Sequence, residues 1–262
     1  MLATTMSESP RNPNIAGAIF MDLRRQILAG ALKPGDRLLG ERELAQKYGT
    51  NRNTLREAVR KLEQTRLVTV RHGRGVTVSD FRRTGTLELL PPFLQTQPDI
   101  GEVVQIVEDM LAPRILLLEY AARLAVQRAE AADIERLRDI SDLLIPAFHA
   151  GDVLVVARGF QRWLDALIEA GHSVAVRWIA NPFLEALRET LEHFPMLWIL
   201  EPTFPNYLSD FIDAVATEDE ARAIAVTRSY YERVDGKLVQ LLSSLPSGLA
   251  RPPAPGATPE VD

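Results

Sequence analysis

The 262-residue sequence contains no cysteine. Disulfide bonds, thiolate zinc sites and cysteine nucleophiles are therefore excluded, which fits a reducing compartment. The sequence also lacks any apolar run close to the ~18 residues that a membrane span requires. Its first residues lack the basic and apolar segments of a secretion signal. These absences predict a soluble, cytoplasmic protein that makes no contact with a membrane.

Recognisable catalytic motifs are missing as well. There is no glycine-rich phosphate loop, no HExxH zinc motif and no serine nucleophile elbow, and Gly73-Arg74-Gly75 is too short to cradle a phosphate. Hydrophobic residues still make up 46% of the chain, which supplies a packed core and excludes a disordered protein. We therefore expect a globular protein that is not an enzyme and has neither catalytic residues nor a cofactor.

Charge is distributed unevenly along the chain. Residues 1–82 carry 15 Lys or Arg and 8 Asp or Glu, a net charge of +7, whereas residues 83–262 carry 15 and 27, a net charge of −12. A basic head on an acidic body is typical of a protein whose head binds a polyanion. The net charge of −5 for the whole chain hides this division.

The texture of the sequence changes once, near residue 80. We expect a flexible tail at 1–12, a domain of short elements at 13–80, a linker with a short helix at 81–99, a helical domain at 100–248 and a disordered tail at 249–262. The last segment is rich in proline, which disfavours both helices and strands.

Short elements fill the first domain. Apolar residues at helical spacing predict three helices, one ending at Gly30, one over 41–48 and one from 52 to about 65. Two alternating runs, 67–70 and 76–78, enclose glycines and predict a β-hairpin. Three short helices followed by a hairpin predict a winged helix-turn-helix.

The third helix is suited to the major groove of DNA. Arg52, Arg56 and Arg60 are spaced by four residues and so line one side of it. Asn53 and Thr54 stand at its amino-terminal tip. Arginine can donate two hydrogen bonds to guanine, while hydroxyls and helix N-termini suit phosphate oxygens. This face therefore favours DNA binding.

The tip of the hairpin strengthens the same prediction. Arg71-His72-Gly73-Arg74 places two cations and a histidine on an exposed turn, which suits contact with the minor groove or the DNA backbone. The alternative is a solvated helix with internal ion pairs, such as one between Glu57 and Lys61, beside an ordinary turn. The positive charge of the whole domain favours DNA over that alternative.

Three stretches of this domain resemble the N-terminal domain of the GntR transcription regulators. They are Leu32-Lys33-Pro34-Gly35-Asp36-Arg37-Leu38, Glu41-Arg42-Glu43-Leu44-Ala45 and Thr54-Leu55-Arg56-Glu57-Ala58. Their order and spacing are kept over about residues 14–80. The resemblance implies a homodimer that binds a palindromic, double-stranded DNA operator. Carried over by position, the DNA contacts of the family fall on Arg42, Asn51, Arg52, Asn53, Thr54, Arg56, His72 and Gly73.

Beyond residue 83 the strand patterns disappear. A bundle of six or seven helices is predicted from helical patterns over 100–128, 131–148, 151–170, 173–199 and 207–244. Breaks are expected at Pro146, Gly171 and Pro202, and Pro113 and Pro182 are expected to kink or divide their helices. The predicted fold class is mainly α, with an N-terminal winged helix-turn-helix followed by an all-helical bundle.

The helical half resembles the all-helical sensor class of GntR regulators, most clearly from Val107 to Leu137. Many such sensors hold a metal through an Asp and a His four residues later, but Gly159 and Trp163 occupy those positions here, so we expect no metal. The linker from Val78 to Gly85 is similar to that of the FadR-type branch. That similarity implies a DNA affinity controlled by a fatty acyl-CoA.

Aromatic residues at loosely helical spacing can line an effector pocket in the bundle. We single out Phe160, Trp163, Trp178 and Tyr230, with Arg114 as a partner for a carboxylate or phosphate. The alternative is that the aromatic residues belong to the core and to a dimer interface. Two other functions stay open: a regulator that responds to another organic acid, and a constitutive repressor whose helical domain only dimerises.

Overall fold

The computed structural model of the chain describes residues 15–71, 73, 75–97, 99–193 and 201–244. The chain divides into two compact units, residues 1–96 and 97–262. His72 and Arg74 of the predicted wing tip, and both predicted tails, lie outside the described residues. Helices dominate both units, so the fold is mainly α as predicted.

The first unit is a winged helix-turn-helix, which confirms the prediction. Its elements in chain order are α1 (Ile15–Leu28), α2 (Glu41–Lys47), α3 (Arg52–Gln64), β1 (Val68–Arg71), β2 (Gly75–Val78), α4 (Phe81–Thr84), a 3-10 turn (Leu87–Leu89) and α5 (Leu90–Leu94). The apolar faces of α1 and α3 pack together, and the core that they form buries Leu23, Leu55 and Leu62. The polar face of α3 is thereby directed outward.

Local hydrogen bonds set where α3 begins. Asn51 is its N-cap, and Oδ1 of Asn51 accepts a hydrogen bond from the backbone N–H of Thr54 at 2.9 Å. This bond satisfies one of the N–H groups that every helix leaves free at its start. Just before it, Gly49 ends the turn after α2 with a φ of +58°, in the left-handed region that favours glycine.

The wing is an antiparallel hairpin of β1 and β2, with Val68 opposite Val78. The turn before α2 extends this pairing, because the backbone N–H of Leu38 donates to the carbonyl oxygen of Val76 at 2.9 Å. The wing is therefore supported on one edge by chain that precedes the helix-turn-helix.

Residues 81–94 pack onto the first unit. Phe81, Leu89 and Phe93 join its apolar core, and the rings of Phe81 and Phe93 lie 5.7 Å apart. Gly85 is tightly enclosed, because a Cβ atom there would lie 2.5 Å from the carbonyl oxygen of Phe81 and 2.9 Å from Cδ1 of Leu89. The segment that the sequence suggested as a linker is a packed part of this unit.

The second unit is a helical bundle. Its described elements are α6 (Ile100–Arg128), α7 (Ala131–His149), α8 (Val153–Ala170), α9 (Val174–His193), α10 (Phe204–Ala216) and α11 (Glu220–Ser244). α6 packs along α11 and against α8, while α7 packs against α8 and α10. The core of the bundle fully buries Trp163, Tyr207 and Phe211.

Several predictions about helix ends in this unit were wrong. Pro113 and Pro182 were expected to kink or divide their helices, and division is wrong, since α6 and α9 continue through them. Pro146 does not end α7, which continues to His149. The pattern over 207–244 is two helices, with a turn at Glu218, whose φ is +56°. A proline removes one backbone hydrogen bond, and the packing of a long apolar face outweighs that loss.

Candidate nucleic-acid interface

The amino-terminal tip of α3 presents polar side chains to solvent. Asn51, Arg52 and Asn53 are exposed and Thr54 is half-buried. Together with Glu57 they line a shallow depression of the surface. The structure therefore brings four of the predicted DNA contacts together. The free N–H groups and the dipole of the helix N-terminus add partial positive charge, which favours phosphate.

Arg56, another predicted DNA contact, is held by an acidic residue of α2. Its Nε donates to both carboxylate oxygens of Glu41, at 3.0 and 3.1 Å, and its Nη2 lies 2.8 Å from Oε2. These hydrogen bonds lower the pKa of Glu41 and raise the pKa of Arg56. Arg56 therefore bridges the two helices of the helix-turn-helix. No pattern in the sequence indicated this pair, whose members are 15 residues apart.

The other candidate arginines on this surface keep their donors available. Arg42 on α2 and Arg52 and Arg60 on α3 are all exposed, and their side chains form no ion pair with the described residues. By contrast, Lys61 is paired with Glu57 one turn earlier on α3, at 3.1 Å. The tip of α3 thus combines an unpaired guanidinium with amide and hydroxyl groups, which is the set that base edges and phosphates require.

The wing tip relies on glycine for its conformation. Gly73 has a φ of +73°, and no atom of the residues that the structure describes lies within 4 Å of a Cβ atom built there. The backbone conformation, rather than crowding, therefore favours glycine. The wing is also tied to α3, because the backbone N–H of Val70 donates to Oε1 of Glu63 at 3.1 Å. His72, the other predicted contact of the wing, lies outside the described residues.

A polar network that the sequence did not reveal joins α1 to the end of α2. The Tyr48 hydroxyl donates to Oδ2 of Asp22 at 2.8 Å, and Gln26 and Arg25 donate to the same carboxylate, each at 2.7 Å. Burial, followed by the charge and hydrogen bond of Asp22, raises the pKa of Tyr48 to about 12. Burial alone would raise the pKa of Asp22, but its hydrogen bonds together lower it.

Residues 15–78, which hold the three helices and the wing, match the bacterial regulatory proteins of the gntR family. This part of the chain is therefore a helix-turn-helix domain of the gntR type. It is 28% identical over 226 residues to the HTH-type transcriptional regulator Mce2R of Mycobacterium tuberculosis, which covers 86% of this chain and 92% of that relative. It is 31% identical over 125 residues to a fatty acid metabolism regulator protein of Vibrio vulnificus, covering 46% of this chain and 44% of the relative.

A solved structure extends the similarity to the fold of most of the chain. Lar, which controls the expression of the Listeria monocytogenes agr system, superposes with a TM-score of 0.56 at 16% identity. The similarity covers 89% of this chain and all of Lar, so the two share a fold. The chain as a whole is thus similar to transcription regulators, and its residues 15–78 match their gntR-type domain. None of its described helices is long and apolar enough to cross a bilayer.

In the helical unit, Arg114 of α6 forms a partly buried ion pair with Asp235 of α11. The guanidinium carbon of Arg114 lies 4.8 Å from the centre of the Tyr231 ring. Burial raises the pKa of Asp235 against the attraction of Arg114. Nε of Arg114 and Oδ2 of Asp235 are both buried and have no hydrogen-bond partner among the described residues. One donor and one acceptor of the pair are therefore unused.

Three of the four aromatic residues predicted to line an effector pocket lie together in the core. The ring of Phe160 stacks on Trp163 at 6.0 Å and lies 6.4 Å from the ring of Tyr230. Tyr207 joins them, with its ring stacked on Tyr230 at 4.2 Å, and lies 5.9 Å from the ring of Tyr231. The cluster thus extends from Trp163 to Tyr231, whose ring lies beside Arg114 of the ion pair.

Trp178 does not lie with this cluster. Its side chain is 72% exposed on α9, so the prediction that it lines a pocket with the other three aromatic residues is wrong. The physical reason is the orientation of α9, which buries Val176 and Ala180 and turns Trp178 to solvent. The pattern of the sequence alone did not show which face of α9 packs against the bundle.

A buried acidic residue near the start of α10 was also missed. Lys237 of α11 lies 2.5 Å from Oε2 of Glu201, and the Thr203 hydroxyl donates to Oε1 at 3.1 Å. Burial by itself would raise the pKa of Glu201, but Lys237 and Thr203 together lower it. Glu201 and Lys237 are far apart in the sequence, so no local pattern linked Glu201 to α11.

No group of three His, Asp or Glu side chains converges as metal ligands would within the described part of the chain. At Gly159, where the resemblance would place an Asp ligand, a Cβ atom would lie 2.4 Å from Cδ2 of Leu144. Leu144 is fully buried, so an aspartate there would require the core to move. The packing of α7 against α8 is therefore adapted to glycine at this position.

Proposed function

We propose that this protein is a cytoplasmic, homodimeric GntR regulator that binds a palindromic operator, and that an effector in its helical unit controls its affinity for DNA. The tip of α3 carries the first half of the proposal, because Arg52 projects there without an ion-pair partner among the described residues. Two such tips related by a two-fold axis match two half-sites of an inverted repeat.

The two arginines of the tip region have different roles in this proposal. Arg52 reads a base edge, since a free guanidinium can donate two parallel hydrogen bonds to guanine. Arg56 orients α3 through Glu41 and contributes charge near the phosphates. Arg42 and the wing, with Gly73 at its tip, contact the DNA backbone on either side of α3.

The second half of the proposal rests on the Arg114–Asp235 pair. A partly buried guanidinium that keeps an unused donor can donate a hydrogen bond to an anionic group, and the aromatic cluster beside it supplies apolar surface. The indole N–H of Trp163 is a further buried donor without a partner among the described residues. An effector alters DNA affinity only if it binds the DNA-competent and DNA-incompetent forms unequally.

We propose a fatty acyl-CoA as the effector. The resemblance of the linker to the FadR-type branch supports it, as does the similarity to a fatty acid metabolism regulator protein over 46% of the chain. Another organic acid bound through Arg114 is the second candidate, because the same guanidinium suits any carboxylate. A constitutive repressor, whose helical unit only dimerises, is the third.

Fluorescence anisotropy on the DNA upstream of the protein's own gene tests the proposal. At one fixed salt concentration, we expect tight binding that is released by micromolar long-chain acyl-CoA. Arg114→Gln should bind DNA normally but lose the release. Arg123→Gln, which removes an exposed arginine from the same helix, should keep it.

Each failure has a separate meaning. If acyl-CoA does not release the DNA but short organic acids do, the proposed ligand is wrong and the proposed Arg114 site stands. Tight binding that ignores all of them would favour the constitutive repressor. Release that is equal in Arg114→Gln and in the unmodified protein would remove the ion pair from the proposal.

A further inference from the structure

One face of α9 exposes a row of large apolar side chains. Val174, Trp178 and Ile179 are 64%, 72% and 57% exposed, and Pro182 continues the row one turn later. A tryptophan is highly buried on average, and a cluster of exposed apolar residues marks an interaction surface. The row carries no charged side chain, so covering it removes no charge from water.

A groove between α8 and α9 adjoins this row. Its volume is about 480 Å³, and Pro182, Leu184 and Leu187 are the apolar part of its lining. The polar and charged part of the lining is Gln161, Asp165, Asn181, Glu185 and Arg188. Pro182 belongs to both the row and the groove, so the two form one continuous surface. The groove is wide enough for an aromatic side chain, and its polar lining offers acceptors for an indole N–H.

The positions of the row and the groove on α9 are self-complementary. In an antiparallel pair of identical helices, the residue numbers of facing positions have a constant sum. When Trp178 faces Glu185 of the same groove, the centre of the pair falls between Asn181 and Pro182, close to the middle of α9. Both copies can then insert Trp178 into the other's groove at once, as a two-fold interface requires.

The charges of α9 support the same antiparallel arrangement. The first turn of the helix has no acidic residue and provides the positive end of the dipole. The second half carries Glu185, Glu189 and Glu192 against one basic residue, Arg188. Antiparallel pairing places the acidic half of each copy beside the amino-terminal end of the other.

We propose that α9 is the self-association surface of the protein, with Trp178 of each copy inserted into the α8–α9 groove of the other. α9 has 20 residues and is about 30 Å long at 1.5 Å per residue. A face of this length, with the flanking surface of α8, can approach the ~800 Å² per partner of a standard interface. This inference rests on the proposed homodimer and assigns its contact surface.

Cysteine cross-linking tests the geometry without disturbing the fold. The chain has no cysteine of its own, so a single introduced thiol reports one position. Packed helices lie ~8–10 Å apart, so a short bis-maleimide should join two copies of Asn181→Cys, next to the two-fold axis. The control is Leu143→Cys, at an apolar residue of α7 that is 71% exposed. It should remain unlinked at the same protein concentration.

Sedimentation velocity on the full chain completes the test. The unmodified protein should be a dimer, Trp178→Asp should weaken self-association at least tenfold, and Leu143→Asp should leave it unchanged. Circular dichroism and thermal unfolding check that both variants are folded, and Trp178→Phe should retain most of the dimer. If Trp178→Asp stays dimeric, or Asn181→Cys does not cross-link in a dimeric protein, the α9 surface is wrong and the homodimer stands. If the unmodified protein is monomeric, the proposed homodimer fails as well.

Discussion

Arg56 of α3 and Glu41 of α2 hold the two helices of the helix-turn-helix together, with Nε of Arg56 within 3.1 Å of both carboxylate oxygens of Glu41. Arg52, Arg56 and Arg60, which look equivalent in the sequence, therefore differ in whether they form an ion pair. Arg56 is bound within the protein, whereas Arg52, one turn nearer the tip, has no such partner among the described residues. The predictions for DNA binding follow from this division.

Arg52→Ala should weaken operator binding by about 1–3 kcal/mol if Arg52 reads a guanine, and should affect random DNA much less. The measurement is a pair of binding isotherms, on operator and on random duplex, at one salt concentration. Arg60→Ala is the matched control, since it removes the same charge two turns away. Equal losses on both duplexes would make Arg52 a phosphate contact.

Glu41→Gln should release Arg56 and raise the affinity for random DNA several-fold at low salt. The freed guanidinium gains access to phosphates, so the slope of log K against log salt should become steeper. Glu43→Gln removes an equal charge from the same helix and should have a smaller effect. A loss of operator affinity in Glu41→Gln would mean that orientation of α3, rather than free charge, is the main contribution of the pair.

Tyr48 should make the stability of the first unit depend on pH above 10. Its hydroxyl ionises near 10 when the chain is unfolded but has a pKa of about 12 when folded, so its stabilising effect is complete below pH 10 and is lost as the pH rises to about 12. Urea unfolding at pH 8, 10 and 11 should show the difference between the unmodified protein and Tyr48→Phe shrinking with pH. A constant difference would contradict the raised pKa.

Gly73→Val should impair operator binding without changing the thermal unfolding of the helical unit. A β-branched residue at a φ of +73° is strained by an amount of order 1–2 kcal/mol, so the wing tip must change conformation. Anisotropy and calorimetry on the same sample separate the two effects. Unchanged operator affinity would remove the wing tip from the interface.

Gly236→Ala should stabilise the second unit by about 0.5–1 kcal/mol. Gly236 lies inside α11, and a Cβ atom there would meet no atom within 4 Å. Alanine therefore lowers the entropy cost of folding without a clash. Denaturant unfolding measures the gain, and a loss of stability would show that this face of α11 is covered in solution.

The elements that the sequence predicted well are those with local signals. Asn51 caps α3 through a neighbour three residues away, and the glycines between 67 and 78 form the hairpin. The effect of prolines within long helices was predicted poorly. The packing that keeps α6, α7 and α9 continuous comes from the whole bundle and cannot be seen in a short stretch of sequence. A proline in the sequence therefore predicts a helix break even where contacts with residues far away in the chain compensate for the lost hydrogen bond.

The parts of the site that the sequence missed are contacts between distant residues. Glu41 and Arg56, Asp22 and Tyr48, and Arg114 and Asp235 are 15, 26 and 121 residues apart. No periodicity in one helix specifies a partner on another. The resemblance to a family predicted which residues contact DNA, but it did not show which of the arginines has an ion-pair partner within the protein.

The packing of residues 81–94 on the first unit also affects how such chains can be recombined. A breakpoint after residue 80 would separate Phe81, Leu89 and Phe93 from the core that they complete, and would leave that core open to water. A breakpoint at the boundary between Thr96 and Gln97 transfers the finished module. When helical units are exchanged between such proteins during evolution, junctions between Thr96 and Gln97 should therefore be favoured. A fusion at that position receives a complete, folded winged helix-turn-helix unit.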